Sequence, residues 1–118
     1  MARELYFVGS SRDDIKMFPE EVRLDVGYAL YAAQRGEKPK CAKPLKGFGG
    51  TGVLEIIKRY DGGTYRAVYA IRFPNAVYVL HCFHKKAKCG IKTPQQDIDL
   101  IKQRLKEVTK YGYKRENP

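Results

Sequence analysis

Three β-rich runs, separated only by short turn signals, constrain this chain more than any other feature. They cover residues 53–60, 64–73 and 76–84, with Asp61-Gly62-Gly63 and Pro74-Asn75 between them. Connections this short join antiparallel neighbours, because parallel strands need a crossover of about a dozen residues or more. The spacing therefore predicts an antiparallel meander. Along 64–73, alternation puts Tyr65, Ala67, Tyr69 and Ile71 on one face and Arg66, Val68, Ala70 and Arg72 on the other.

The remaining segments supply helices. Residues 4–8, ELYFV, read as a short first strand. Ser10, Ser11, Asp13 and Asp14 start a short helix over 11–17. Pro19, Glu20 and Glu21 open a longer one over 19–35, with Val22, Val26, Ala29, Leu30 and Ala33 at helical spacing and Gly36 as its stop. Residues 36–52 are rich in Gly, Pro and Lys, lack a period, and read as a long loop. A last helix is expected over 94–110, with Thr93 as N-cap, Pro94 at the first position, Gln96 completing a capping box, and Ile98, Ile101, Leu105 and Val108 as its apolar stripe. The polar stretch 111–118 is expected to be loose. The order β-α-α-β-β-β-α describes an α+β fold, an antiparallel sheet with two N-terminal helices and a C-terminal helix, forming one domain over 1–118.

The formal net charge is +10. It is uneven: residues 1–60 carry 11 Lys/Arg against 8 Asp/Glu, and residues 61–118 carry 12 against 5. Such an excess favours a polyanionic partner through phosphate contacts, although an acidic protein would also suit it. No apolar run is long enough to span a bilayer and the start, MARELYFVGSS, is a poor signal peptide, so a cytoplasmic location is expected and no membrane partner. The odd cysteine count (Cys41, Cys82, Cys89) argues for reduced thiols, with Cys82 as a small core residue.

Several chemistries are disfavoured. Gly47-Phe48-Gly49-Gly50 lacks the Lys-Ser/Thr ending of a phosphate loop. His81, Cys82, His84 and Cys89 are close in sequence, but His81 and Cys82 are adjacent and face opposite sides of a strand, and no C-x2-C pair exists, so no metal and no cofactor are expected. What remains is a set of cations on the predicted sheet. Arg66 is a cation in mid-strand. Lys58 and Arg59 precede it on the neighbouring strand, His84, Lys85 and Lys86 follow the third strand, and Lys43 and Lys46 come from the long loop. Such a cluster suits a phosphodiester and the charge that builds on it during 2′-hydroxyl attack. The structural alternative is that Arg66 pairs with Glu55 across the hairpin.

The run GVLEIIKRYDGGTYRAVYAIRFPNAVYVLHCFHKKAKCGIKTPQQDIDLIKQR, with FPEEVRLDVGYALYAAQRG and KPLKGFGGTGV before it, resembles the phage-derived HigB-like family of RelE/ParE-superfamily toxins. The resemblance rests on the order of LKG…GV.EI, YR.VY, VYVLH.F.KK and TP…DI, and extends over nearly the whole chain. It implies a metal-independent messenger-RNA endonuclease, acting on or off the ribosome and neutralised by a helix-turn-helix antitoxin. Under it, Arg66 stabilises the transition state, Lys85 and Lys86 supply a further catalytic cation, and His84 or a lysine transfers protons. Lys43, Lys46, Lys58, Arg59, Arg72, Lys88 and Lys92 would hold RNA. One departure is Ile57, where many relatives carry a basic residue. The competing readings are a gyrase inhibitor of the ParE kind and a catalytically inactive partner of a transcriptional regulator.

Overall fold

The computed structural model describes residues 2–49, 52–86 and 92–111. The elements are β1 (Glu4–Phe7), α1 (Ser11–Lys16), α2 (Glu20–Gln34), β2 (Ala42–Pro44), β3 (Val53–Tyr60), β4 (Gly63–Phe73), β5 (Ala76–Lys85) and α3 (Gln95–Tyr111). They build one five-stranded sheet in the order β1-β5-β4-β3-β2. The expected meander is its centre: β4 pairs antiparallel with both β3 and β5.

Two features depart from the expected all-antiparallel sheet. β2, a three-residue strand inside the predicted loop, pairs with β3. Its brevity and its Pro44 remove any periodic signal. β1 pairs with β5 in parallel, Glu4 opposite Ala76 through Phe7 opposite Val79. The chain reaches β2, on the far side of the sheet, through α1 and α2, which leaves β1 free to lie along β5.

Local chemistry explains the boundaries. The β3–β4 hairpin turns on Asp61 (φ 51°) and Gly62 (φ 80°), a two-residue turn with both central residues left-handed. Gly63 is therefore a strand residue opposite Tyr60. At the end of α2, Gly36 (φ 82°) donates to Ala33 O at 3.0 Å and Glu37 to Ala32 O at 2.9 Å, a Schellman closure. The capping box expected at α3 does not form as drawn. α3 begins at Gln95, and the Thr93 hydroxyl is engaged by Glu55 and Arg66 instead.

The sheet carries a core on each face. α2 lays Val22, Val26, Leu30 and Ala33 on Ile56, Ala67, Tyr69 and Val79. On the other face α3 lays Ile101, Leu105 and Val108 on Val53, Val68, Ala70 and Leu80. The alternation read along β4 is the one observed.

Cys82 and Tyr69 are buried on the α2 face. Burial pushes the Cys82 thiol from 9.0 to about 12, with Asp14 adding to the rise, and the Tyr69 hydroxyl from 10.0 to about 12. Between the unfolded and folded values the native state holds more protons than the unfolded chain, so stability falls as pH rises. The melting temperature is expected to hold below about pH 9 and to drop progressively towards pH 12. Cys82→Ala should flatten part of that drop. An unchanged alkaline limb in the variant would remove Cys82 as its cause.

Candidate functional site

Cross-strand register defines the site, because residues directly opposite one another share a face. On the α3 face, three successive rows cross the central strands. The first is Glu55–Val68–His81, the second Ile57–Arg66–Phe83, and the third Arg59–Thr64–Lys85. Lys43 of β2 extends the first row beside Glu55. Rows stand two residues apart, roughly 7 Å. Arg66 is the centre of this patch.

Arg66 is buried, 3% exposed. Its Nη1 donates to Glu55 Oε2 at 3.3 Å and to Thr93 Oγ1 at 3.2 Å, and its Nε to Thr64 Oγ1 at 3.5 Å. Thr93 in turn donates to Glu55 Oε2 at 2.7 Å. The cross-hairpin pairing of Arg66 with Glu55 is thus present, and Arg66 does not stand open on the sheet surface. Both contacts of Nη1 are longer than the roughly 2.7–2.9 Å of a tight charge-assisted hydrogen bond.

His81 lies in the same patch, 7% exposed. Its Nε2 is 2.7 Å from Asp97 Oδ1, in the first turn of α3, and its ring stacks on Phe83 with centroids 4.8 Å apart. Its Nδ1 is buried and has no hydrogen-bond partner among the described residues. A β-bulge puts it there. Val68 pairs with His81 while Tyr69 pairs with Val79, so Leu80 is the extra residue. Continued alternation from Val77 and Val79 would send His81 to the α2 face; the bulge turns it to the Arg66 face and sends Cys82 the other way.

The other cations expected at a site are dispersed. His84 is on the opposite face from Arg66, stacked on Tyr65 at 4.1 Å with an interplanar angle of 2°. A Cβ on Gly63 would come within 2.6 Å of its Nε2. Lys58 is on that same face and pairs with Asp25 of α2 at 3.0 Å. Arg59 and Lys85 share the third row with Thr64; Arg59 is exposed and Lys85 half-buried. Lys86 and Lys92 are exposed, and Lys92 immediately precedes Thr93. Lys46 is exposed in the turn after β2. Arg72 is six residues from Arg66 along β4, roughly 20 Å away, and donates to Phe48 O at 3.4 Å. Lys88 and Cys89 lie outside the described residues.

The register brings Arg66, Lys85, Arg59 and Lys43 together on one face and leaves His84, Lys58 and Arg72 elsewhere. It also adds His81, Asp97 and Thr93, which the sequence reading did not place at a site. The guanidinium of Arg66 can bind an anion, and the carboxylate of Glu55 and the imidazole of His81 are groups able to move protons.

Comparison with known proteins fits this architecture. The family model described as phage derived protein Gp49-like (DUF891) matches residues 13–106. Among solved structures, a double mutant of the E. coli toxin RelE in the free state superposes with a TM-score of 0.58 at 18% identity, covering 92% of this chain and 99% of that one. The toxin–antitoxin complex RelBE2 from Mycobacterium tuberculosis gives a TM-score of 0.49 at 21% identity, over 73% of this chain and 94% of that one. A search of curated proteins finds no sequence match. With a family match spanning most of the chain, the protein belongs to the phage-derived Gp49-like family, and it shares its fold with the E. coli toxin RelE.

Proposed function

We propose that this chain is the toxin of a type II toxin–antitoxin pair and cleaves messenger RNA without a metal ion. One observation carries the reading: Glu55, Arg66 and the His81–Asp97 pair occupy adjacent rows of one sheet face, with Lys43, Arg59 and Lys85 on the same face. Cleavage by an internal 2′-hydroxyl needs a base, a cation for the charge gathering on phosphorus, and an acid for the leaving oxygen.

Glu55 and His81 flank Val68 on either side, so their backbones are roughly two strand spacings, about 10 Å, apart. All three groups are buried, so a phosphodiester reaches them only as Thr93, which now bridges Glu55 and Arg66, moves aside. A phosphate oxygen takes the place of Thr93 Oγ1 on the guanidinium. Glu55 accepts the 2′-hydroxyl proton as the 2′-oxygen attacks phosphorus. Arg66 stabilises the phosphorane. His81, with Nε2 on Asp97, gives its Nδ1 proton to the departing 5′-oxygen. The products are a 2′,3′-cyclic phosphate and a 5′-hydroxyl. Lys85, with Lys86 beyond it, and Arg59, Lys43 and Lys92 hold the flanking phosphates. His81 takes the role expected of His84 because it shares a face with Arg66.

Every proton-transfer group belongs to the chain, so cleavage should survive EDTA. In cells, expression without the cognate antitoxin should arrest growth, and the antitoxin, expected to be a helix-turn-helix protein, should restore it. Normal growth with abundant soluble protein in a sensitive host would count against a toxin.

A further inference from the structure

A second feature lies at the other end of the α3 face. A groove of about 530 Å³ runs between the C-terminal half of α3 and the turn after β2. Phe48 and Leu105 line it, with Lys102, Lys106, Lys110 and Arg72 around them. The three lysines are spaced i, i+4, i+8, so they rise along one side of the helix at steps of roughly 6 Å. No carboxylate is among the described lining residues.

We propose that this groove is a docking site for an acidic amphipathic helix of a protein partner. Carboxylates at i, i+4 spacing on such a helix match the lysine row, and an apolar side chain flanking them packs on the narrow exposed edges of Leu105 and Phe48. The lack of an exposed aromatic ring among the described lining residues separates this occupant from RNA. A base needs an exposed ring to stack on, but Phe48 is 7% exposed and Lys102 Nζ stands 5.9 Å from its ring centroid. The chain's own residues 112–118, GYKRENP, carry two cations against one acidic side chain, the wrong charge for this rim. The assignment goes beyond the RNase reading and does not depend on it, since Arg72 in this groove is roughly 20 Å along β4 from Arg66.

Fluorescence anisotropy on the full chain tests it with three labelled probes: a helical peptide with Glu on one face and Leu on the other, an oligoglutamate of equal charge, and an oligouridylate of equal charge. The Glu/Leu peptide is expected to bind saturably and at least about tenfold more tightly than either other probe, a difference of about 1.4 kcal/mol. Lys102→Glu/Lys106→Glu/Lys110→Glu should weaken it by at least the same factor. Thr109→Trp, which fills the groove without altering charge, should do likewise, and melting curves establish that both variants are folded. No saturable peptide binding, equal or tighter binding of oligouridylate or oligoglutamate, or undiminished binding by the folded Thr109→Trp variant would each overturn the assignment.

Discussion

Glu55→Ala is expected to lower folding stability by about 3–5 kcal/mol, the cost of leaving one member of a buried ion pair uncompensated. The side chains of Glu55 and Arg66 are each 4% exposed. Removing the carboxylate strands a guanidinium in the sheet and deprives Thr93 of its acceptor. Arg66→Ala should cost a comparable amount for the converse reason. The double variant Glu55→Ala/Arg66→Ala leaves no buried charge and should be more stable than the sum of the single losses implies. Denaturant midpoints for the four proteins measure this. Strict additivity would mean that the pair contributes no coupling. Because the pair is present, loss of stability alone cannot assign Arg66 to catalysis; cleavage per folded molecule is the discriminating quantity.

His81→Ala is expected to reduce RNA cleavage by about 10²–10⁴-fold, the usual contribution of a positioned acid or base. The ring is held on one side by Asp97 at 2.7 Å and against Phe83, and its Nδ1 is the nitrogen left for proton transfer. His84→Ala makes the sharper comparison. His84 stacks on Tyr65 across the sheet, so its removal should leave the rate within a few-fold of wild type. The opposite ranking, with His84 essential and His81 dispensable, would move the site to the other face.

Much of this architecture was legible because its signals are local. Turn residues, the period-two pattern of β4 and the period of α2 and α3 each act over a few neighbours, and they place Arg66 on the correct face. Three features were not legible. β2 is too short to carry a period. The parallel placement of β1 rests on a contact between residues about 70 positions apart, which no local pattern encodes. The bulge at Leu80 reverses the alternation of β5, so His81 reads as one more strand residue until its partner strand is known. Thr93 reads as a cap because Ser and Thr before a helix usually are; the buried pair across the sheet competes for the same hydroxyl. Asp97 carries no signal of its own in the sequence, because its partner His81 is brought to it only by the bulge.

End-group analysis of RNA cut by the purified protein decides whether this chain cleaves by internal 2′-hydroxyl attack. Folded wild-type protein and folded Arg66→Ala would be incubated in EDTA with a labelled messenger RNA, free and on ribosomes. Wild type is expected to cleave, leaving 5′-hydroxyl and 2′,3′-cyclic phosphate ends, and Arg66→Ala to be slower by about 10²–10³-fold, as for loss of one preorganised donor. Absence of cleavage by wild type in both formats, 5′-phosphate ends, or an Arg66→Ala rate equal to wild type would contradict it.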